Sequence, residues 1–256
     1  MYFAVDIGHN APFADTGAVG IKSEDHLTKE VGNKLVKILK DAGHRVILTC
    51  PGASKHVNNS LGARVNMANA AKADLFISIH FNAFNKKAYG TEVFISSWKS
   101  KAYKQASDVV DNISKLGFAK RGVKVANFAV IRNTTMPAML IECCFIDNKR
   151  DMDIFDSDKM AVAIASGILG NVVKPTPKNE DISLIATLKV NRQNWLKPST
   201  EQSNQIDKNL IKLIDVGEYS IKLLADEEKH YQILLDGKEW FIYYGAEACE
   251  LINKKD

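Results

Sequence analysis

Over its first two-thirds the chain alternates short apolar runs with amphipathic stretches. Tyr2–Ile7 and Leu75–His80 are the kind of apolar run that a sheet covered on both faces requires. Between them, Glu24–Ala42 repeats apolar residues at Leu27, Val31, Leu35, Ile38 and Leu39, which is the helical period, and Gly43 follows as a stop. Arg45–Thr49 reads as a returning strand and Leu61–Ala73 as a second helix. Beyond these, Gly90–Ser96 predicts a strand, Lys99–Leu116 a helix, and Phe128–Ile131 and Ala138–Cys144 short strands. Asp158–Val173, apolar at Met160, Val162, Ile164, Ile168, Leu169 and Val172, predicts a closing helix. Such alternation predicts an α/β domain with a mostly parallel sheet flanked by helices.

The pattern changes after Val173. Residues 175–181 carry Pro175 and Pro177 among polar neighbours and read as a short, stiff linker. Ser183–Val190, Leu210–Val216, Tyr219–Leu224, Tyr231–Leu235 and Trp240–Tyr244 are short and rich in β-branched and aromatic residues, and Asp236-Gly237 is a hairpin signal. The expected organisation is an α/β domain over 1–174, a linker over 175–181, and a small all-β domain over 182–256.

Composition is globular, with 46% hydrophobic and 25% charged residues. No apolar stretch approaches the ~20 residues that span a bilayer, so no membrane insertion is expected. Met1 leads straight into a strand with no charged leader, so no secretory signal is expected. The net charge of +4 is uneven: 23 Lys/Arg face 16 Asp/Glu before Thr176, and 11 face 14 from there on. A basic front section suits an anionic partner such as a cell wall, a membrane surface or nucleic acid. No zinc-finger spacing or RNA-binding aromatic pattern supports nucleic acid. Cys50, Cys143, Cys144 and Cys249 form neither a disulfide framework nor a C-x-x-C motif, and read as reduced thiols.

Candidate chemistry concentrates at strand ends. His9 and His80 each close an apolar run, which delivers both imidazoles to the carboxyl edge of the sheet, where α/β folds bind ligands. Glu24 opens a helix behind Ser23, a plausible N-cap; a helix dipole alone would account for it. Glu142 follows Ala138–Ile141, where an ionised carboxylate needs a partner, a metal or a raised pKa. Two imidazoles and one carboxylate make a three-ligand zinc site with an open position, and a further carboxylate can serve as base. If the four converge, the chain is a metal-dependent hydrolase. His26 lies roughly 200° around the helix from Glu24 and reads as a surface residue.

The blocks Asp6–His9, Gly17–Glu24, Ala73–Ala83, Gly90–Val93 and Met136–Asn148, in that order, resemble the zinc-dependent N-acetylmuramoyl-L-alanine amidases, the amidase_3 family. Ile7 and Asn10 stand where that family usually has Pro and Gly, a departure that bears on the turn and not on the ligand. The resemblance implies a twisted, mostly parallel six-stranded sheet and a Zn2+ ion held by His9, Glu24 and His80. It makes Glu142 the catalytic acid/base and peptidoglycan the substrate, cut between N-acetylmuramic acid and L-alanine. Asn82 and Arg132 are expected near the cleft as substrate contacts, and Asp6 and Glu92 as acceptors for the outer imidazole nitrogens. The tail resembles bacterial SH3-like wall-binding modules, in which Trp195, Trp240, Tyr243 and Tyr244 line a groove or form the small core. The expected setting is a phage endolysin held in the host cytoplasm until lysis. The alternatives are a bacterial autolysin that has lost its leader, another zinc peptidase or deacetylase, or a non-catalytic wall- or nucleotide-binding protein.

Overall fold

The computed structural model describes residues 1–170, 184–191, 193–197, 212–227, 230–235, 238–244 and 249–252. Two compact units divide the chain, Met1–Pro175 and Thr176–Asp256. The expected linker at 175–181 lies outside the described residues.

The first unit runs β1 (Tyr2–Ile7), α1 (Glu24–Asp41), β2 (Arg45–Leu48), α2 (Val57–Ala71), β3 (Leu75–Asn82), β4 (Thr91–Ile95), α3 (Tyr103–Ser114), β5 (Lys120–Val125), α4 (Ala129–Arg132), β6 (Ala138–Phe145), α5 (Lys149–Ile154) and α6 (Ser157–Leu169). Its six strands are ordered β2-β1-β3-β6-β4-β5. Neighbours are parallel except β4 and β6, which run antiparallel with Glu92 opposite Glu142. This is the mostly parallel, helix-flanked sheet that the alternation predicts.

The α1 stripe packs under β1 and β3: Leu27, Val31, Leu35 and Leu39 are fully buried with Phe3, Val5, Ile77 and Ile79 in the larger core. Each such side chain contributes about 1.5–3 kcal/mol when taken out of water. A smaller core on the other face gathers Ala4, Val65, Ala68 and Phe76 with Val130, Ile131 and Leu140. Residues of β6 alternate between the two cores, Leu140 to the smaller and Met139 and Ile141 to the larger.

Three elements differ from the sequence pattern. Phe128–Ile131 is not a strand: Phe128 precedes the single helical turn α4, whose Val130 and Ile131 are buried. A short apolar run carries too little period to separate strand from helix. The sixth strand is β5, Lys-Arg-Gly-Val-Lys-Val, whose charges suit the exposed edge of a sheet and hide its alternation. Helix α2 starts at Val57, ahead of the apolar pattern, because Asn58, Asn59 and Ser60 extend it with polar residues.

The second unit is all β: β7 (Leu184–Val190), β8 (Asn194–Lys197), β9 (Lys212–Ile214), β10 (Gly217–Glu227), β11 (His230–Leu235), β12 (Lys238–Tyr243) and β13 (Cys249–Ile252). They form one sheet ordered β13-β7-β10-β11-β12-β8-β9. β11 and β12 pair antiparallel with Leu235 opposite Lys238; the hairpin signal at 236–237 lies outside the described residues. Trp240 is core, packed with Leu188, Leu196, Ile233 and Ile242, and Tyr244 packs against that core, whereas Trp195 and Tyr243 are exposed. All four cysteines are free. Burial pushes the Cys143 and Cys144 thiols up.

Candidate metal centre and active site

The first strand ends in a turn that L-residues resist. His9 and Asn10 both sit at φ 56°, in the left-handed region. Asn tolerates that region better than most residues, which accounts for Asn10 standing in a place usually held by Gly. Asn10 is also pinned: its Nδ2 donates to Gly8 O at 2.9 Å and to Thr28 Oγ1 at 2.8 Å, and its N–H donates to Asp25 Oδ1 at 3.1 Å. Gly8 is required for contact. A Cβ there would fall 2.5 Å from His80 Nε2 and from Ile79 O. Gly17 has the same role against Glu24, whose Cβ would lie 2.8 Å away.

These turns bring His9, Glu24 and His80 together, with one ligand atom from each within 4.8 Å of the others. Glu24 Oε1 lies 3.4 Å from His9 Nε2 and 3.2 Å from His80 Nδ1. Two atoms bound tetrahedrally at ~2.0–2.1 Å from one zinc ion stand about 3.3–3.4 Å apart, so the two Glu24 spacings and the donor types fit that metal. The Glu24 carboxylate is fixed by the Phe81 N–H on Oε1 (3.1 Å) and the Ala18 N–H on Oε2 (2.9 Å). Ser23 is the N-cap by backbone geometry, without a side-chain cap bond. His26 is off this cluster, exposed and 3.9 Å from Glu30.

The outer nitrogen of His9 is held by a residue the sequence pattern did not single out. His9 Nδ1 is 2.9 Å from Asp15 Oδ1. Asp15 Oδ2 accepts from Ser60 Oγ at 2.5 Å and pairs with Arg64 at 3.3 Å. Arg64, 1% exposed, donates 2.6 Å to Asp6 Oδ1 and 2.7 Å to Ile7 O, and also bonds His9 O. Asp6 is therefore a structural partner of Arg64, Thr49 and Ser78, and Asp15 takes the place beside the imidazole that was expected of Asp6. Glu92 likewise serves other groups: Asn82 Nδ2 (3.2 Å), Arg121 Nε (2.6 Å) and Lys124 Nζ (2.5 Å).

The electrostatics follow from this geometry. Burial opposes a charge on His9, but Glu24 and Asp15 together outweigh it and raise the pKa to about 9. Glu24 is also opposed by burial, and the two imidazoles hold it far below the usual carboxylate range. Glu142 lies opposite His80 in the β3–β6 register, so both project from the same face of the sheet. Its Oε2 is buried without a hydrogen-bond partner among the described residues. Burial pushes its carboxyl up to about 7; His80 opposes this and the charges of Glu24 and Glu92 add to it.

Of the expected substrate contacts, Asn82 ends β3 two residues beyond His80. Arg132 is not brought to the cluster: it ends α4 before β6 begins, and its guanidinium bonds Asn127 (2.8 Å) and Asn133 (3.0 Å). Arg64 alone could have been found from sequence by one signal, an arginine one helical turn after Ser60 and one before Ala68, on the buried stripe of α2; nothing in the pattern points to Asp15 as its partner.

Fold and site define a class: an α/β domain with a His-Glu-His cluster fit for a metal ion at the carboxyl ends of adjacent parallel strands. Residues 4–174 match the family model described as N-acetylmuramoyl-L-alanine amidase. The chain belongs to that family. It is 36% identical over 169 residues to the endolysin of Bacillus phage SPP1, covering 64% of this chain and 61% of that protein. It is 31% identical over 169 residues to the N-acetylmuramoyl-L-alanine amidase CwlM of Bacillus licheniformis, with 64% of each covered. The solved catalytic domain of the CD27L endolysin, which targets Clostridia Difficile, superposes with a TM-score of 0.63 at 27% identity, covering 68% of this chain and 99% of that one. The chain spans 47–61% of the length of several relatives it matches.

Proposed function

We propose that the protein hydrolyses the amide bond between N-acetylmuramic acid and the L-alanine of the peptidoglycan stem, with His9, Glu24 and His80 holding zinc. The observation that carries this reading is the pairing of a metal-ready cluster with Glu142, opposite one of the imidazoles, whose buried Oε2 has no hydrogen-bond partner among the described residues. When bound, a zinc ion supplies Lewis-acid polarisation and lowers the pKa of water towards ~7. Asp15 fixes the His9 ring so that Nε2 faces the cluster. Glu142 takes the proton from the attacking water and returns it to the departing alanine nitrogen, a role that its pKa near 7 suits.

Likeness to the SPP1 and CD27L endolysins supports the setting of a phage enzyme acting on the host wall from within at lysis. The second unit is assigned wall binding, with exposed Trp195 and Tyr243 as its contact residues. Mass spectrometry of digested peptidoglycan, with and without chelator, tests the reading. New L-alanine amino termini that vanish with chelator are expected. Release of acetate instead would make the enzyme a deacetylase, and an unaltered wall would overturn the proposal. Deleting everything after Pro175 should leave a folded hydrolase with weaker wall binding; loss of folding would show the boundary to be wrong.

A further inference from the structure

A concave feature lies at the same carboxyl edge of the sheet as the cluster and is not used by the chemistry above. Residues beyond the ends of β3 and β6 and ahead of α1 enclose an open groove of about 600 Å³, lined by Val19, Ile21, Phe84, Lys86, Asp147 and Lys149 among others. Its rim is apolar and open to water: Val19 is 83% exposed, Phe84 78% and Ile21 57%. Contiguous exposed apolar residues with a polar border mark binding surfaces.

The groove is built rigidly. Lys86 sits at φ 62°, a conformation that a lysine adopts only when its surroundings impose it. Asp147 Oδ2 accepts the N–H groups of Phe84 (3.1 Å) and Lys86 (2.9 Å), and Asn148 Nδ2 donates to Lys86 O at 3.0 Å. Asn85 Oδ1 accepts from the N–H groups of Lys87 and Ala88. The opposite wall is tied by the Ile21 N–H to Ile146 O at 2.8 Å. Lys149 is engaged with Asp153 at 2.6 Å, whereas Lys86 makes no ion pair among the described residues. Of the two lysines that line the groove, Lys86 is thus the one without an ion pair among the described residues, beside an apolar wall.

The geometry points to a stem-peptide subsite in this groove, with Lys86 reading the carboxylate of the acidic residue that follows L-alanine. This rests on the amidase reading. The scissile bond joins a glycan to a peptide, so the two flanks of the cluster must receive different chemistry. One flank is the half-exposed sheet face that carries Phe94, edge-to-face with Phe128 at 5.2 Å between ring centroids, and Lys124, which is already paired with Glu92. The other is this groove, concave, apolar at the rim and with an uncommitted cation, which suits an extended peptide that carries one carboxylate. A free carboxylate would be preferred there over its amide, so Lys86 would distinguish the two forms.

The test uses the full chain and two free peptides, L-Ala-γ-D-Glu-L-Lys and its α-amidated counterpart L-Ala-γ-D-isoGln-L-Lys, by calorimetry and amide-shift mapping. Neither contains the scissile bond, so the result does not depend on turnover. The acidic peptide should bind with shifts at residues 19–21 and 84–86, and about tenfold more tightly than the amidated one, the worth of one charge-assisted hydrogen bond. Lys86→Gln should abolish that preference, and Phe84→Ala should weaken both peptides alike. Equal binding of the two peptides, a preference kept in Lys86→Gln, shifts confined to β4 and β5, or no binding at all would each overturn the subsite. If the subsite holds while peptidoglycan digestion yields no L-alanine termini, the amidase reading fails and the groove remains a peptide site.

Discussion

Two carboxylates near the two imidazoles are treated in opposite ways. Glu24 is saturated, its oxygens engaged by two backbone N–H groups and facing both rings, while Asp15 and Arg64 brace the His9 side from behind. Glu142 has a buried oxygen with no partner among the described residues, and burial lifts its carboxyl towards neutrality. A ligand must be held still and charged, whereas a group that passes a proton must be able to exist in both states. The same residue type, in two environments, is suited to each of these roles.

The largest way to break this contrast is Glu142→Gln. It should leave the fold and the zinc content intact while turnover falls by about 10²–10⁴-fold, the range for a removed general acid/base; activity within a few-fold of the parent would overturn the assigned role. Next in size is Arg64→Met. Two buried carboxylates, Asp6 and Asp15, would lose their cation, and denaturant melts should show a loss of about 3–5 kcal/mol. Asp15→Asn is milder: the fold should persist, and competition with a chelator should show zinc affinity lowered by about 10–100-fold. An unchanged affinity would mean that the His9 ring needs no brace.

The smallest effect sharpens the comparison through pH. The folded Glu142 carboxyl, at about 7 against an ordinary 4.5, holds its proton where the unfolded chain has released it. Native stability therefore falls as pH rises from 4.5 to 7, and the loss persists above that. Glutamine does not titrate. In metal-free protein, Glu142→Gln should melt higher than the parent above pH 7, at about 2–4 °C per kcal/mol, and the gap should close below pH 4.5. A gap independent of pH would mean that the carboxyl is not perturbed.

Much of this was readable from the chain. His9 and His80 announce themselves because each closes an apolar run that carries it to the carboxyl edge of the sheet, and Glu142 because an acid after Met-Leu-Ile has no bland explanation. Choosing Glu24 as the third ligand needed the family resemblance, since a first-turn glutamate is accounted for by the helix dipole alone. The Asp15–Arg64 pair was not legible: its members stand 49 positions apart and meet only through folding. β5 escaped for a related reason, since the edge of a sheet selects charges that blur the strand period.

The reversal of direction between β6 and β4 has a consequence for how this scaffold can change over generations. Because β4 begins where β3 ends, residues 83–90 link the two without crossing the sheet. That short segment supplies Phe84 and Lys86 to the groove and none of the four central groups. With the stem peptide seated in the groove as proposed, changes in this stretch would alter the peptide preferred and leave the four central groups untouched. Recognition and chemistry would then be separable by a handful of codons.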